Sequence, residues 1–128
     1  SKIFKILGKF MHPLEIEELR RRSEFPKREN QLACYISGIW ATKEAIYKSL
    51  SSNVKTGQLP PAQAVYTKLF YKTNDLDGKP LIKRITSSTE DRDYRDFTRE
   101  YIDGSEFLIS ISHDGNYLIS FVCHIKNS

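Results

Sequence analysis

The sequence has few of the residues that mark specialised classes of protein. Its 128 residues include two cysteines, one methionine, one tryptophan, six glycines and five prolines. Cys34 and Cys123 are far apart and match no C-x-x-C or histidine-containing metal spacing, which disfavours a disulfide framework or a zinc motif. No run approaches the ~20 apolar residues of a membrane-spanning helix, and no signal-peptide core is present. We therefore predict reduced cysteines and no membrane association.

Length and composition predict one globular domain. Hydrophobic residues make up 39% of the chain and charged residues 28%, which is an ordinary balance for a soluble domain of 128 residues. The net charge is +4, and much of it is concentrated at Lys2, Lys5, Lys9 and residues 20–22. Such a cluster is either a solvated basic face or a surface for an acidic partner or nucleic acid.

The sequence pattern of residues 29–50 predicts one long helix. An apolar stripe at three- and four-residue spacing faces a core and consists of Leu32, Ile36, Ile39, Ile46 and Leu50. A second line, within an arc of about 60°, consists of Ser37, Ala41, Glu44 and Lys48. The last two residues form either a solvated helix salt bridge or half of a metal and phosphate site. Periodicity alone favours the salt bridge.

The remaining segments predict an α+β fold, with helices packed on a mainly antiparallel sheet. Helices are expected from residue 1 to near Gly8 or Lys9, at 13–23 with Leu14, Ile16 and Leu19 inward, and at 94–102, mostly exposed. Strands are expected at residues 64–71 and 80–85, around a turn at 74–78, and a hairpin at 107–113 and 117–125. Residues 86–93 are polar. His113 emerges at a strand end beside a turn, where a histidine is usually a surface or capping residue.

Four short motifs, in order along the chain, resemble those of the 4′-phosphopantetheinyl transferases. Residues 40–45 with Lys48 are similar to the signature W-x-x-K-E-A-x-x-K, and residues 12–15 to H-P-x-E. Residues 78–80 are similar to G-K-P and residues 110–113 to S-[IL]-S-H. The likeness is to the small holo-acyl-carrier-protein synthase type, especially its fungal members, and it spans residues 12–114. It implies the phosphopantetheinyl transferase fold.

The resemblance also implies a reaction and residues for it. The reaction is transfer of the 4′-phosphopantetheine arm from coenzyme A to a serine of an apo acyl carrier protein, which releases 3′,5′-ADP. Glu44 matches the Mg²⁺-binding glutamate, and Lys48 matches the lysine beside the diphosphate. His113 matches the histidine near the coenzyme phosphates, with Ser112 as its neighbour. Lys43 lies about 100° round the helix from Glu44 and is expected to point elsewhere.

The sequence departs from the family pattern in two places. Family members begin with a strand that carries an aspartate, the second metal ligand, and nothing in residues 1–11 replaces it. We expect this chain to be a piece that lacks the strand, in preference to a degenerate site. Ile39 stands where bacterial members often carry arginine, which removes one phosphate contact.

The resemblance further implies partners and a compartment. Carrier proteins are acidic, and the early lysines with Arg20, Arg21 and Arg22 offer a complementary surface. Members of this type often form homotrimers with the coenzyme between subunits, and the fungal likeness favours the mitochondrial matrix, with the cytoplasm as the alternative. A catalytically inactive carrier-binding subunit remains open. A nucleic-acid-binding module is disfavoured because the basicity is mild and no known binding motif is present.

Overall fold

The structure is a computed structural model that describes residues 2–24, 29–84, 94–114 and 117–125, without the side chains of residues 2–4 and 29–31. Its longer helices are α1 (Lys2–Leu7), α2 (Pro13–Ser23) and α3 (Glu29–Asn53). Two short helical turns, α4 (Ala62–Ala64) and α5 (Arg95–Phe97), continue as π-helical turns at Val65–Leu69 and Thr98–Ile102. The strands are β1 (Phe70–Asn74), β2 (Pro80–Arg84), β3 (Glu106–Asp114) and β4 (Tyr117–Ile125). The α+β class is confirmed.

The strands form two antiparallel hairpins. In the first, β1 pairs with β2 so that Lys72 lies opposite Ile82. The predicted turn between them is confirmed: Asp75 Oδ1 accepts hydrogen bonds from the backbone N–H groups of Asp77 and Lys79, and Gly78 has a φ of 85°. In the second hairpin, β3 pairs with β4. The predicted polar segment at 86–93 and the turn at residues 115 and 116 lie outside the described residues.

Helix α3 connects two hydrophobic clusters formed by the described residues. Ile39 is buried in the smaller cluster, and Ile46 and Leu50 are buried in the larger one, so the predicted apolar stripe is confirmed. The smaller cluster adds Leu7, Met11 and Leu19. The larger adds Val65, Leu69, Phe70, Phe97, Tyr101, Ile102 and Phe107. Because one rigid helix is common to both clusters, residues along α3 have fixed positions relative to both hairpins.

The prediction of a strand at residues 64–71 is wrong. The chain remains helical through Leu69, and β1 begins only at Phe70. The cause is a tertiary contact, because the Lys43 ammonium donates hydrogen bonds to the backbone carbonyls of Tyr66 and Phe70. These carbonyls would otherwise be unpaired at the end of a short helix, where a cation is favourable. A local preference for strand is overridden.

Two predictions of exposure are also wrong. The segment at residues 94–102 is helical as predicted, but Phe97, Tyr101 and Ile102 are buried in the larger cluster. Leu14 is exposed, although Leu19 of the same helix is buried as expected. In the first turn of α2 the buried side chain is instead the carboxylate of Glu15.

Candidate functional site

Glu44 and Lys48 lie where the sequence predicts them, on the outer line of α3. The Glu44 side chain is half-buried and Lys48 is exposed, one helical turn further along. At this spacing a carboxylate and an ammonium face the same way. The two groups are therefore accessible together to a ligand.

An aromatic surface lies beside Glu44. Burial raises the pKa of the Tyr66 phenol, and the negative charges of Glu44 and Tyr47 add to the effect. The Tyr66 ring contacts Trp40 and Tyr47 edge-on, with centroids 6.0 and 5.9 Å apart. Trp40 remains 43% exposed and also packs against Phe10. The carboxylate therefore has aromatic rings on one side and solvent on the other.

His113 is exposed near the end of β3, as predicted. Its Nε2 lies 3.1 Å from the Sγ atom of Cys34, in the first half of α3. Ser112 is exposed as well, but adjacent strand residues point to opposite faces, so Ser112 does not share the face of His113. Ser112, which the resemblance gave as a neighbour of His113, therefore projects from the other face of β3.

One copy of the chain does not bring His113 to Glu44. Cys34, which contacts His113, precedes Glu44 by ten residues of continuous helix, or about 15 Å along its axis. Glu44 with Lys48 and His113 with Cys34 are thus two separate groups. The separation is too large for both to contact the same phosphate.

Lys43, the other charged residue of the K-E-A motif, is buried. Its side chain and that of Glu15 are each about 1% exposed, and the Nζ–Oε1 distance is 3.0 Å. The ammonium also donates to the carbonyl oxygens of Tyr66 and, at 2.6 Å, of Phe70. All three of its N–H groups therefore have acceptors. The expectation that Lys43 points away from Glu44 is confirmed.

Glu15 uses both carboxylate oxygens. Oε1 accepts from the backbone N–H of His12 at 2.8 Å, and Oε2 from the backbone N–H of Lys72. Burial raises the pKa of Glu15 and lowers that of Lys43, and their mutual attraction opposes both shifts. Because every donor and acceptor of the pair is satisfied, we describe it as an ion pair. It joins α2, α3 and β1.

The H-P-x-E motif is a helix cap. His12 Nδ1 accepts from the backbone N–H of Leu14 at 3.1 Å while Glu15 accepts from the N–H of His12, which completes a capping box. Burial, and then the charge of Lys43, lower the pKa of His12 to about 4. His12 is therefore neutral near pH 7, as an accepting Nδ1 requires.

The donor atoms around Glu44 suit magnesium only together with a ligand. Within residues 2–24, 29–84, 94–114 and 117–125, no group of three or more His, Cys, Asp or Glu side chains could hold a metal ion. Mg²⁺ is often bound through one or two carboxylates, with phosphate oxygens and water completing the shell. Glu44 fits that role. In the same part of the chain, no helix is long and apolar enough to cross a membrane.

Comparison with known proteins assigns the family. Residues 1–122 match the sequence model of the 4′-phosphopantetheinyl transferase superfamily. The chain belongs to this superfamily. It is 35% identical over 123 residues to a mitochondrial holo-[acyl-carrier-protein] synthase of Eremothecium gossypii, which covers 96% of this chain and 64% of the relative.

Two other fungal relatives of this chain carry the same name. The Saccharomyces cerevisiae protein is 35% identical over 129 residues, covering 94% of the chain and 72% of the relative. The Candida glabrata protein is 31% identical over 118 residues, covering 91% of this chain and 73% of the relative. The chain thus spans roughly two thirds of the length of these relatives. No solved structure matches it significantly.

The buried pair was not predicted from the sequence, which gave no partner to Glu15 or to Lys43. A signal for half of the arrangement was present, because an N-cap residue followed three positions later by glutamate is a capping-box pattern. No local pattern could connect Glu15 to Lys43, which comes from another helix.

We predict that Lys43→Met lowers the free energy of unfolding by about 3–5 kcal/mol, because it leaves the Glu15 carboxylate buried without its cation. Urea denaturation measures the loss. The matched control is Lys48→Met, which removes the same charge from an exposed site and should change stability by less than about 0.5 kcal/mol. Equal, small effects of the two substitutions would contradict the role of the pair.

We predict that His12 makes the protein less stable as the pH falls from 6.5 to 4. The unfolded chain binds a proton at His12 near pH 6.5, whereas the folded protein binds it only near pH 4, so acid favours unfolding across this window. The control is His12→Asn, which keeps a capping side chain that does not titrate. Relative to this variant, the wild type should lose about 2 kcal/mol of unfolding free energy across the window. This is less than the full pKa shift implies, because solvent screens the charge. Parallel stability–pH curves would refute the assignment.

Proposed function

We propose that this chain transfers 4′-phosphopantetheine from coenzyme A to a serine of an apo acyl carrier protein, with Mg²⁺ bound, and releases 3′,5′-ADP. The observation that carries the proposal is the division of the K-E-A motif. Lys43 is buried and holds the fold together, while Glu44 and Lys48 face outward on one line of α3. The names of the three fungal relatives support the same reaction.

Each outward residue has a role in that reaction. Lys48 places a compact positive charge beside the diphosphate of the coenzyme, and Glu44 holds the metal and orients the water that accepts the serine proton. The serine oxygen bonds to the phosphorus next to the pantetheine arm, and the diphosphate bond breaks, so that 3′,5′-ADP leaves with the electron pair. When bound, Mg²⁺ neutralises the charge that develops on the phosphate oxygens.

We propose that the site is completed by a second copy of the chain in a homotrimer. Within one copy, His113 lies about 15 Å along α3 from Glu44, too far for both to contact one phosphate, so a neighbouring copy would have to supply the histidine for a phosphate beside Glu44. The outer face of β3 and β4 offers the contact surface. Its exposed apolar side chains are Leu108, Tyr117, Ile119, Phe121 and Ile125.

The charges on this face favour a second copy over the carrier protein. The outer face of β3 also carries Glu106 and Asp114, which would repel an acidic carrier. The carrier instead suits the basic residues of the first two helices, where Lys5, Lys9 and Arg21 are exposed. By the names of its relatives, we place the protein in mitochondria, with the matrix as the expected compartment and fatty acid biosynthesis as the process.

We predict that the complete gene product, mixed with coenzyme A, Mg²⁺ and an apo acyl carrier protein, adds one phosphopantetheine arm to the carrier. Mass spectrometry detects the addition, and EDTA should abolish it. Glu44→Gln should lower turnover by orders of magnitude without changing thermal stability, whereas Glu17→Gln, an exposed carboxylate on α2, should leave turnover unchanged.

Two results would count against this proposal. Normal turnover by Glu44→Gln would remove the metal assignment. Absence of transfer by the complete wild-type protein, with carrier binding intact, would select the inactive carrier-binding subunit.

We predict that analytical ultracentrifugation of the complete protein shows a trimer and that Phe121→Asp dissociates it. A charge at this position opposes burial of the apolar face, on which Phe121 is 67% exposed in one copy. Loss of assembly should also abolish transfer. Leu76→Asp, at an exposed turn between β1 and β2, is the control and should remain trimeric. A fully active wild-type monomer would contradict the shared site.

A further inference from the structure

The two cysteines of the protein have different surroundings. Cys34 is exposed in the first half of α3, and Cys123 is exposed on β4, opposite Leu108 in the apolar outer face of the hairpin. The Nε2 atom of His113 lies 3.1 Å from the Cys34 sulfur. An imidazole therefore distinguishes Cys34 from Cys123, whose cross-strand neighbour is a leucine.

The contact between Cys34 and His113 joins a nucleophile to a base. The thiolate is the form of cysteine that attacks other atoms, and a histidine nitrogen at hydrogen-bond distance can take the proton of the thiol. The two side chains are remote in sequence, and the packing of the β3–β4 hairpin against α3 brings them together. Both are exposed, so a reagent from solvent can reach the sulfur.

A cavity beside the thiol gives room for an incoming molecule. We call it the Cys34 cavity; its volume is about 480 Å³, and besides the thiol it is lined by Arg22, Tyr35, Gly38, Lys72, Ile111 and Leu118. Gly38 lies one helical turn beyond Cys34, on the same side of α3. A Cβ atom added at Gly38 would approach Leu118 no closer than 4.0 Å, so the glycine leaves space next to the sulfur.

Lys72 gives the Cys34 cavity a preference for anions. Its ammonium lies 6.0 Å from the centroid of the Tyr35 ring. Burial, and then the charge of Arg22, lower the pKa of Lys72, whereas the charge of Glu15 raises it. Arg22 is paired with Glu18, so the preference depends on Lys72. A carboxylate on the incoming molecule would stabilise the charged ammonium, which a neutral molecule cannot do.

We propose that Cys34 is a site of reversible modification by a small disulfide that carries carboxylates, with His113 as the base. The Cys34 sulfur bonds to one sulfur of the disulfide, and the S–S bond of the disulfide breaks. Its electron pair goes to the second sulfur, which leaves as a thiol with the proton that His113 took. The sulfur of Cys34 is oxidised and the departing sulfur is reduced. The resulting mixed disulfide lies beside His113 and covers it.

Glutathione disulfide, each half of which carries carboxylates, is the probe. The complete, reduced protein is incubated with it near pH 7, and peptide mass spectrometry follows the adduct on each cysteine over time. Folded Cys34 should react about tenfold faster than Cys34 of the urea-unfolded protein, because the unfolded chain lacks the base beside the thiol. Cys123 should react no faster in the folded protein than in the unfolded one. Dithiothreitol should remove both adducts.

Two variants separate the base from the recognition of charge. His113→Gln, which is polar but not basic, should slow folded Cys34 about tenfold, with glutathione disulfide and with uncharged hydroxyethyl disulfide alike. Lys72→Met should slow the reaction with glutathione disulfide and leave that with hydroxyethyl disulfide unchanged. The matched control is Lys83→Met, which removes an equal charge from an exposed position on β2 and should change neither rate.

The inference is overturned if Cys34 reacts no faster in the folded than in the unfolded protein, or if His113→Gln leaves its rate unchanged. An equal effect of Lys72→Met on both disulfides would overturn the preference for carboxylates. The measured quantity is an adduct mass, so the test does not depend on the proposed transfer reaction. A protein that forms the adduct but transfers no phosphopantetheine would remove the proposed function and support this inference.

Discussion

The buried ion pair between Glu15 and Lys43 constrains the rest of the structure. Its five polar contacts are all within the protein, and they reach the cap of α2, the π-helical turn and the first residues of β1. Removing two charges from water carries a large desolvation cost, which only such complete hydrogen bonding offsets. The pair is thus better understood as fixing one arrangement of four segments than as a source of net stability.

That arrangement determines two surfaces at once. Because successive helical residues point about 100° apart, fixing Lys43 inward turns Glu44 toward solvent. On the other side, the bond from Lys43 to the Phe70 carbonyl and the bond from Glu15 to the backbone of Lys72 fix the start of β1. The Lys72 side chain then faces Tyr35. A change to the pair would therefore move both Glu44 and the side chain of Lys72.

The sequence predicted those parts of the fold that local periodicity determines. Helices α2 and α3 and the turn before Gly78 follow from apolar spacing and turn chemistry, and the resemblance identified Glu44, Lys48 and His113. The strand predicted at residues 64–71 was wrong because Lys43, remote in sequence, donates hydrogen bonds to the carbonyls of Tyr66 and Phe70 and so favours the helical turn. The distance between His113 and Glu44 could not be predicted either, because it depends on how the β3–β4 hairpin packs against α3.

The three consecutive arginines of α2 show how the fold divides a single run of charge. Arg21 and Arg22 both pair with Glu18, but Arg22 also lies over the Tyr35 ring, and its side chain is 42% exposed against 70% for Arg21. Outward cations attract a distant acidic protein and lose strength in salt, because they are screened by the solvent. The charge of Arg22 is partly covered by an aromatic ring and a carboxylate, so it faces solvent less freely than the charge of Arg21. The three arginines were expected from the sequence to form one basic surface, and an acidic partner would rely more on Arg21 than on Arg22.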